Sequence, residues 1–347
     1  MNEFKEFYKK NKKILEQEIK KYNEMLLEEK NEILLDNLKQ FVVLNSGGKR
    51  IRGLLILLGY YLKNDSIDYA LPLSVAYEFF QTSILVHDDV IDNDNLRRGN
   101  KTIPFYNEEK YNINDKNTFN SIGICVGDYG LYYSNSIIIN NYDKELKNIF
   151  DMYNSIVLDT IKGETIDVML PFKEKNNLEV SNLEDEVFNI YKLKTSYYTI
   201  VGPLSLGMKL ANFSLEEISK VKEFSTDLGI AFQIYDDLIG IYKDEEEIGK
   251  VVGTDIEEFK QTILYAYTKN TKFYDDLMKY YGKIPSTSDI IEVRRIYEES
   301  GAKDYALKKC NELYNNARKK LDEINFITNE KKEILYDLID YLEERSL

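Results

Sequence analysis

Several residue types are scarce in this 347-residue chain, and each shortage excludes a class of protein. The chain has no tryptophan, five prolines, two cysteines and a single histidine, His87. One histidine cannot build a zinc site that needs two or three imidazoles. Cys125 and Cys310 stand alone in the sequence, so we expect no thiolate metal cluster and no disulfide framework, and a reducing compartment such as the cytoplasm.

Basic residues are also fewer than acidic ones. The chain carries 46 lysine and arginine residues against 60 aspartates and glutamates, a formal net charge of -14. Proteins that bind nucleic acid rely on a positive surface that displaces counterions. The charge balance therefore argues against DNA or RNA as the partner.

Long hydrophobic runs are missing as well. No stretch reaches the roughly 18 consecutive apolar residues that a membrane span needs, and the first residues lack the basic head and apolar block of a secretory signal. We therefore expect a soluble protein without stable membrane insertion. Hydrophobic residues make up 43% of the chain and are spread evenly, without a linker, which predicts a single domain over residues 1–347.

The hydrophobic pattern that is present is helical. Apolar residues recur at spacings of three and four almost throughout, for example over residues 67–92, whereas strand-like alternation is hard to find. Pro104, Pro171 and Pro285 are expected in polar loops, and the Gly202-Pro203 step is expected to kink or break a helix. Three serine–acid pairs have the spacing of helix-capping residues: Ser181 with Glu184, Ser214 with Glu217, and Ser286 with Asp289. The pattern predicts an all-α protein of ten or more helices.

Three Asp-Asp pairs occur, and their surroundings differ. Asp88-Asp89 ends an apolar helix, and Asp92 follows one helical turn after Asp88 on the same face. Carboxylates so close repel one another unless a cation lies between them, and Mg²⁺, which also binds phosphate oxygens, is the natural one. Asp236-Asp237 ends a second apolar helix. Asp275-Asp276 has amphipathic surroundings typical of a solvated face.

Basic residues beside glycines accompany the first two acidic pairs. Arginine suits fork-like contacts with phosphate, and glycine lets the backbone approach an anion. Each segment alone is weak evidence, and Gly48-Lys49 lacks the spacing of a nucleotide-binding P-loop. The segments are Gly47-Gly48-Lys49-Arg50-Ile51-Arg52, Arg97-Arg98-Gly99, Gly249-Lys250 and Gly253-Thr254-Asp255.

The order of these motifs resembles the trans-isoprenyl diphosphate synthases, over most of the chain. Two further segments, Gly163-Glu164-Thr165-Ile166-Asp167 and Lys194-Thr195, belong to the same pattern. The resemblance implies an isoprenoid synthase helical bundle around a central active-site cavity, with the two Asp-rich helices facing each other, and a homodimer. It implies Mg²⁺ as cofactor and isopentenyl and allylic diphosphates as small-molecule substrates.

The resemblance also implies roles for individual residues. Asp88, Asp92 and Asp236 would bind Mg²⁺, with Asp89, Asp237 and Asp167 nearby. Arg97, Lys194 and Lys250 would hold the allylic diphosphate, and Lys49, Arg52, Gln81 and Arg98 the isopentenyl diphosphate. Thr195 and Gln233 would stabilise the allylic cation formed when the C–O bond ionises, an electrostatic task that needs no nucleophile. His87 is expected to be a wall residue hydrogen-bonded near the metal site.

Two departures from the family pattern matter. Gly240 stands where most members carry a third aspartate of the second motif, and Glu164 stands where many have glutamine. Ser83 and Ile84 occupy positions that are usually aromatic in farnesyl-making relatives, so the floor of the product channel is expected to be open there. Phe80, with Tyr77 below it, would stop a longer tail, which predicts geranylgeranyl diphosphate or a product one unit longer.

Two other functions stay open at this level. A class I terpene cyclase ionises allylic diphosphates with a similar first motif, but needs no site for a second diphosphate, which the paired basic elements suggest. A non-catalytic or weakly active partner subunit of a heteromeric synthase is favoured by the loss at Gly240, because such subunits typically lose an Asp-rich motif.

Overall fold

The computed structural model describes residues 2–243 and 252–344. The chain divides into two compact units. The N-terminal unit comprises Lys5–Asp151 and Leu206–Phe213, and the C-terminal unit comprises Met1–Phe4, Met152–Ser205 and Ser214–Leu347. That the two form the single domain expected from the sequence, around a central cavity, stays a prediction.

The described residues are almost entirely helical, as predicted. Up to Lys175 the helices are α1 (Glu3–Leu26), α2 (Glu32–Asn45), α3 (Ile51–Tyr61), a 3-10 turn (Asp68–Ala70), α4 (Leu71–Ile91), α5 (Ile103–Tyr111), α6 (Lys116–Asn141) and α7 (Leu146–Lys175). They continue as α8 (Leu183–Ile190), a π-helix (Tyr191–Val201), α9 (Gly202–Leu210), α10 (Leu215–Tyr242), α11 (Thr254–Glu257), α12 (Ile263–Lys269), α13 (Tyr274–Leu277), α14 (Thr287–Glu299), α15 (Ala302–Asp322) and α16 (Asn329–Glu343). None of the described helices is both long and apolar enough to cross a membrane.

One feature that the periodicity missed is a short hairpin. Strands β1 (Leu96–Arg97) and β2 (Asn100–Lys101) pair antiparallel, with Arg97 opposite Asn100. Both turn residues have positive φ, 53° at Arg98 and 77° at Gly99, as a two-residue type I′ turn requires. Strands of two residues are too short to show an alternating pattern, so only the Arg-Gly pair could have signalled this turn.

Helix boundaries follow local chemistry. The capping boxes at Ser214 and Ser286 form as predicted, each with reciprocal side-chain and backbone hydrogen bonds. The third predicted cap was wrong by one residue. Asn182, and not Ser181, caps α8, and the Asn182 side chain accepts a hydrogen bond from the Asp185 amide. Asparagine is among the best N-cap residues, and Asn182-Asp185 has the same spacing.

The expectation of a loop was confirmed at Pro285, but it was wrong at Pro104, which lies in the first turn of α5, and at Pro171, which lies inside α7. Proline has no N–H to donate to the carbonyl of Asp167 four residues earlier, so one helical hydrogen bond is lost there. The Gly202-Pro203 step does coincide with a change of helix type, where the π-helix ends and α9 begins.

Each unit has an apolar core around one buried helix. In the N-terminal unit α4 packs against α6, and Leu54–Leu58 of α3 are at most 1% exposed. The contact with α6 is close because Gly123, Gly127 and Gly130 lie against Val90, His87 and Ser83. In the C-terminal unit α10 packs against the π-helix and α15. α4 and α10 are the helices that carry the two Asp-rich motifs.

Candidate active site

The first Asp-rich motif lies at the C-terminal end of α4. Asp92 caps the helix, and its amide donates to the Asp88 carbonyl at 2.8 Å. Asp88 and Asp92 are partly exposed, whereas Asp89 is 1% exposed. A helix C-terminus carries partial negative charge, so carboxylates there are stabilised by a cation. The end of α4 thus provides hard oxygen donors in an electrostatically negative position.

Asp89 faces the protein and pairs with Arg97 of the hairpin. The Arg97 guanidinium also lies 3.6 Å from Asp94. Burial raises the pKa of the Asp89 carboxyl to about 7, and the positive charge of Arg97 opposes that shift. Asp89 therefore anchors the hairpin at the acidic end of α4, and Arg97 with it.

Arg98, at the tip of the same hairpin, lies against the glycine-rich loop before α3. A side chain at Gly48 would come within 2.7 Å of the Arg98 guanidinium, and the φ of 91° at this position favours glycine. Burial and then the positive charge of Arg50 lower the pKa of Arg98, and Arg52 acts in the same direction. Such a concentration of guanidinium groups favours an anion.

Within this basic cluster Arg50 has a structural task. Its guanidinium is buried, bonds to Glu78 at 3.1 Å and Glu16 at 2.8 Å, and donates to the carbonyl of Asn45. The loop around it has positive φ at Gly47, Gly48 and Arg50 itself. The Lys49 carbonyl accepts a hydrogen bond from the Tyr8 hydroxyl at 2.6 Å. Arg50 thus fixes the loop that carries Lys49 and leads into α3, where Arg52 lies.

The other predicted residues of α4 lie inward. Gln81 is 9% exposed, Ser83 and Phe80 are fully buried, and Ile84 is partly exposed. Phe80 makes an edge-to-face contact with Tyr77 at 5.3 Å. The Ser83 hydroxyl donates to the Phe79 carbonyl, and its side chain lies beside Gly130 of α6. Space around Ser83 is therefore limited by α6.

His87 packs against α6, and its expected place in the wall of the active-site cavity stays a prediction. Its Nε2 lies 3.3 Å from the carbonyl of Ile124 and 3.4 Å from the carboxylate of Asp128, both on α6. Gly127 makes room for the ring, since a side chain there would come within 2.3 Å of Nε2.

In the C-terminal unit Lys194 and Thr195 lie on the π-helix. A side chain at Gly163 of α7 would come within 2.6 Å of the Lys194 amide nitrogen, and one at Gly229 of α10 within 2.6 Å of the Ser196 Cα. The backbone around Thr195 is therefore held between two helices that approach through glycine. π-Helical segments are rare and often found at functional sites.

The ammonium of Lys194 is held by two carboxylates of α7. It donates to Asp167 at 2.7 Å and forms an ion pair with Glu164, also at 2.7 Å. All three side chains are between 18% and 25% exposed. Sequence reasoning placed Lys194 and Asp167 in the site but did not recognise that Glu164 contacts the lysine.

Thr195 and Gln233, both partly exposed, are joined by hydrogen bonds to the buried Asp237. The Thr195 hydroxyl donates to Gln233 Oε1 at 2.6 Å, and Gln233 Nε2 donates to Asp237 Oδ1 at 2.7 Å. The hydroxyl of Tyr191 donates to the other oxygen, Oδ2. Burial, and then the negative charge of Asp255, raise the pKa of Asp237 well above its usual range. Tyr191 is a residue that the sequence reasoning missed, because no motif marked it.

The second Asp-rich motif is partly described. Asp236 is partly exposed near the end of α10. At Gly240 the space for a side chain is open, and the nearest atom is a carboxylate oxygen of Asp255, 3.6 Å from the ideal Cβ position. Lys250 lies outside the described residues. Asp88 and Asp92 belong to the N-terminal unit and Asp236 to the C-terminal unit, so their convergence on one metal site stays a prediction.

The third Asp-Asp pair is solvated, as predicted. Asp276 forms an ion pair with Lys279 at 2.5 Å, and both side chains are more than half exposed. Over residues 2–243 and 252–344, no group of three or more histidine, cysteine, aspartate or glutamate side chains is arranged to hold a metal ion. A metal at Asp88 and Asp92 would need further ligands, which for Mg²⁺ usually include phosphate and water.

Comparison with known proteins finds similar sequences and a similar fold. The chain is 28% identical over 309 residues to a geranylgeranyl diphosphate synthase of Sulfolobus acidocaldarius, covering 86% of each chain. It is 26% identical to a geranylfarnesyl diphosphate synthase of Aeropyrum pernix, over 87% of this chain and 92% of that protein. The fold matches a geranylgeranyl pyrophosphate synthase of Corynebacterium glutamicum, solved with isoprenyl diphosphate and magnesium, with a TM-score of 0.84, 24% identity and coverage of 96% and 98%.

The family comparison covers most of the chain. Residues 32–300 match the model of the polyprenyl synthetase family, a range that runs from the start of α2 past the end of α14 and contains all the motifs above. The chain therefore belongs to the polyprenyl synthetase family.

Proposed function

We propose that the protein is a trans-isoprenyl diphosphate synthase that condenses isopentenyl diphosphate head to tail with an allylic diphosphate. One observation carries the proposal beyond family membership. The hairpin places Arg97 on the acidic end of α4 and the neighbouring Arg98 on the Gly48 loop. Two elements suited to diphosphate, one acidic and metal-dependent and one purely cationic, are thus adjacent. A reaction of two diphosphates needs such a pair, and a terpene cyclase does not.

The cofactor in this proposal is Mg²⁺, held by Asp88 and Asp92 of α4 and Asp236 of α10. The support is the donor set, carboxylates one helical turn apart at a helix C-terminus, which suits a hard cation. When bound, the metal neutralises the charge that develops on the departing diphosphate. The solved relative from Corynebacterium contains magnesium and isoprenyl diphosphate, which is consistent with this choice.

The two diphosphates would be held by different cations. Lys49, Arg52, Gln81 and Arg98 are proposed for isopentenyl diphosphate, and the crowding of guanidinium groups around Arg98 supports this. Arg97, Lys194 and Lys250 are proposed for the allylic diphosphate. Arg97 and Lys194 pair with carboxylates in the structure, so an incoming diphosphate would share or displace those partners.

The chemistry needs positive charge at the diphosphate and electron-rich atoms beside the hydrocarbon. As the allylic C–O bond ionises, fixed cations such as Lys194 stabilise the diphosphate, and the oxygens of Thr195 and Gln233 stabilise the allylic cation. The isopentenyl double bond then attacks the cation, and a proton is lost to the released diphosphate. No step requires His87, whose ring is turned toward α6.

For the product we propose geranylgeranyl diphosphate or one unit longer. The names of the two relatives, geranylgeranyl and geranylfarnesyl diphosphate synthase, bracket that range. Ser83 and Ile84 are not aromatic, and the Phe80–Tyr77 pair lies one turn earlier in α4. That pair is the proposed end of the channel.

The proposed assembly is a homodimer in the cytoplasm. Ile124, Tyr132 and Ile139 recur on one face of α6 and are 48%, 70% and 49% exposed in the single chain. An apolar stripe of this kind is suited to cover by a second copy. Cys125 and Cys310 are both free thiols, which fits a reducing compartment.

The test is an elongation assay with the purified chain, Mg²⁺, isopentenyl diphosphate and a geranyl or farnesyl primer. We expect products of four or five isoprene units by chromatography, no product after chelation of the metal, and recovery when Mg²⁺ is restored. Hydrocarbon formed from the allylic diphosphate alone would indicate a cyclase instead. The absence of any elongation would favour the partner-subunit function.

A further inference from the structure

A continuous chain of hydrogen bonds runs from the backbone of α12 to Thr195 on the π-helix. The Ile263 amide donates to the Tyr191 hydroxyl at 2.8 Å, and that hydroxyl donates to Asp237 Oδ2. From Asp237 the chain continues through Gln233 to Thr195. All of these residues belong to the C-terminal unit, and Tyr191 and Asp237 are 4% and 6% exposed.

The contacts give the direction of each bond. Both carboxyl oxygens of Asp237 accept, Oδ1 from the N–H side of the Gln233 amide and Oδ2 from the Tyr191 hydroxyl. The amide therefore turns its oxygen toward Thr195, and the Thr195 hydroxyl uses its one proton on that oxygen. The two lone pairs of the Thr195 oxygen are then available to a positively charged group.

The orientation depends on Asp237 staying in place, and Tyr191 is what holds its second oxygen. The Ile263 amide occupies the acceptor side of the Tyr191 hydroxyl, so the phenolic proton points to Asp237. A buried carboxyl group that loses one of its two hydrogen-bond partners tends to move toward another partner, because an unsatisfied buried polar atom is costly.

We propose that Tyr191 is a positioning residue for prenyl transfer, acting through Asp237 and Gln233 to orient the Thr195 hydroxyl. The inference rests on the proposed function, in which Thr195 faces the allylic cation. Tyr191 itself contacts neither substrate nor metal in this account. Tyr191 affects the rate of the step in which the allylic C–O bond ionises, and it does not affect the binding of either diphosphate.

The kinetic test compares Tyr191→Phe with the unaltered chain. We expect kcat for elongation to fall roughly tenfold with both KM values within about twofold, as for a group that acts only in the transition state. The matched control is Tyr314→Phe in the same unit, which removes a buried phenol that donates to the Leu342 carbonyl at 3.2 Å. It should lower stability similarly and leave kcat unchanged. An equal loss of kcat in both variants would overturn the proposal.

A second comparison tests whether Tyr191 acts through Thr195. In a Thr195→Ala background the Tyr191→Phe change should cost less than about twofold in kcat, because the group that it orients is gone. The same tenfold loss in both backgrounds would show independent action and would overturn the proposal.

A structural readout separates this inference from the proposed function. Crystal structures of the unaltered chain and of Tyr191→Phe should show the Thr195 Oγ1 to Gln233 Oε1 contact, 2.6 Å here, broken in the variant. Its retention would overturn the inference whatever the activity. A chain that forms no prenyl product would refute the proposed function, while the two structures would still decide the role of Tyr191.

Discussion

Replacing Glu164 by glutamine should improve binding of the allylic diphosphate. Lys194 is shared in the structure between Asp167 and Glu164, each 2.7 Å away. A diphosphate that recruits this lysine must compete with both carboxylates. Glu164→Gln removes one negative charge and keeps an oxygen that can still accept from the ammonium, so the lysine stays in place but is held less strongly.

The size of the effect follows from burial. Exposed ion pairs contribute about 0–1 kcal/mol and hydrogen bonds to charged groups about 1.5–3 kcal/mol. The contact between Lys194 and Glu164, whose side chains are 25% and 20% exposed, lies between these cases. We take about 1–1.4 kcal/mol, which corresponds to a five- to tenfold change in affinity.

The assay is steady-state elongation with the allylic diphosphate varied at saturating isopentenyl diphosphate and Mg²⁺. We expect KM for the allylic diphosphate to fall five- to tenfold and kcat to change less than about twofold. Glu298→Gln serves as the control, because Glu298 pairs with Lys303 at 2.7 Å in the same unit and has the same charge change. An unchanged or higher KM in Glu164→Gln, or the same fall in the control, would refute the reasoning.

Three further predictions concern the packing at two positions and one buried ion pair. Gly229→Ala should push its Cβ against Ser196 and cost about 1–3 kcal/mol of unfolding free energy in urea titrations, with a loss of kcat because the π-helix shifts. Glu78→Gln should cost about 3 kcal/mol in the same measurement, because the buried Arg50 loses a charged partner; a cost below 1 kcal/mol would contradict this. Ser83→Phe should shorten the product in chromatography, and it should also destabilise the fold because Gly130 lies beside Ser83; an unchanged product spectrum would refute the channel assignment.

Much of the fold could be predicted because its signals are local. Ser214 and Ser286 cap helices as their spacing indicates, and α4 follows the apolar periodicity of residues 67–92. The errors arose at positions where the sequence allows two local structures and does not show which one forms. Asn182 outcompetes Ser181 as a cap, and the helical context of α7 tolerates Pro171 near its C-terminal end.

The residues of the candidate site could be predicted from their types and their order along the chain. The Asp-rich motif at Asp88, the arginine pair Arg97-Arg98 and Lys194-Thr195 are each short segments whose chemistry can be read directly. What those side chains contact could not be read, because the partners are distant in sequence. Arg97 pairs with Asp89 across a turn, but Arg98 lies against Gly48, fifty residues earlier.

The sequence by itself determined the helical class, the family and the set of charged residues, because periodicity, capping and motif order depend on neighbours along the chain. Only the tertiary structure decided that Glu164 holds Lys194 and that Tyr191 supports Asp237, 46 positions away. Such contacts depend on how close two helices approach, which is set by packing at positions such as Gly163 and Gly229. An acidic chain can carry the proposed site for two diphosphates because this packing, and not the net charge of -14, sets the local field.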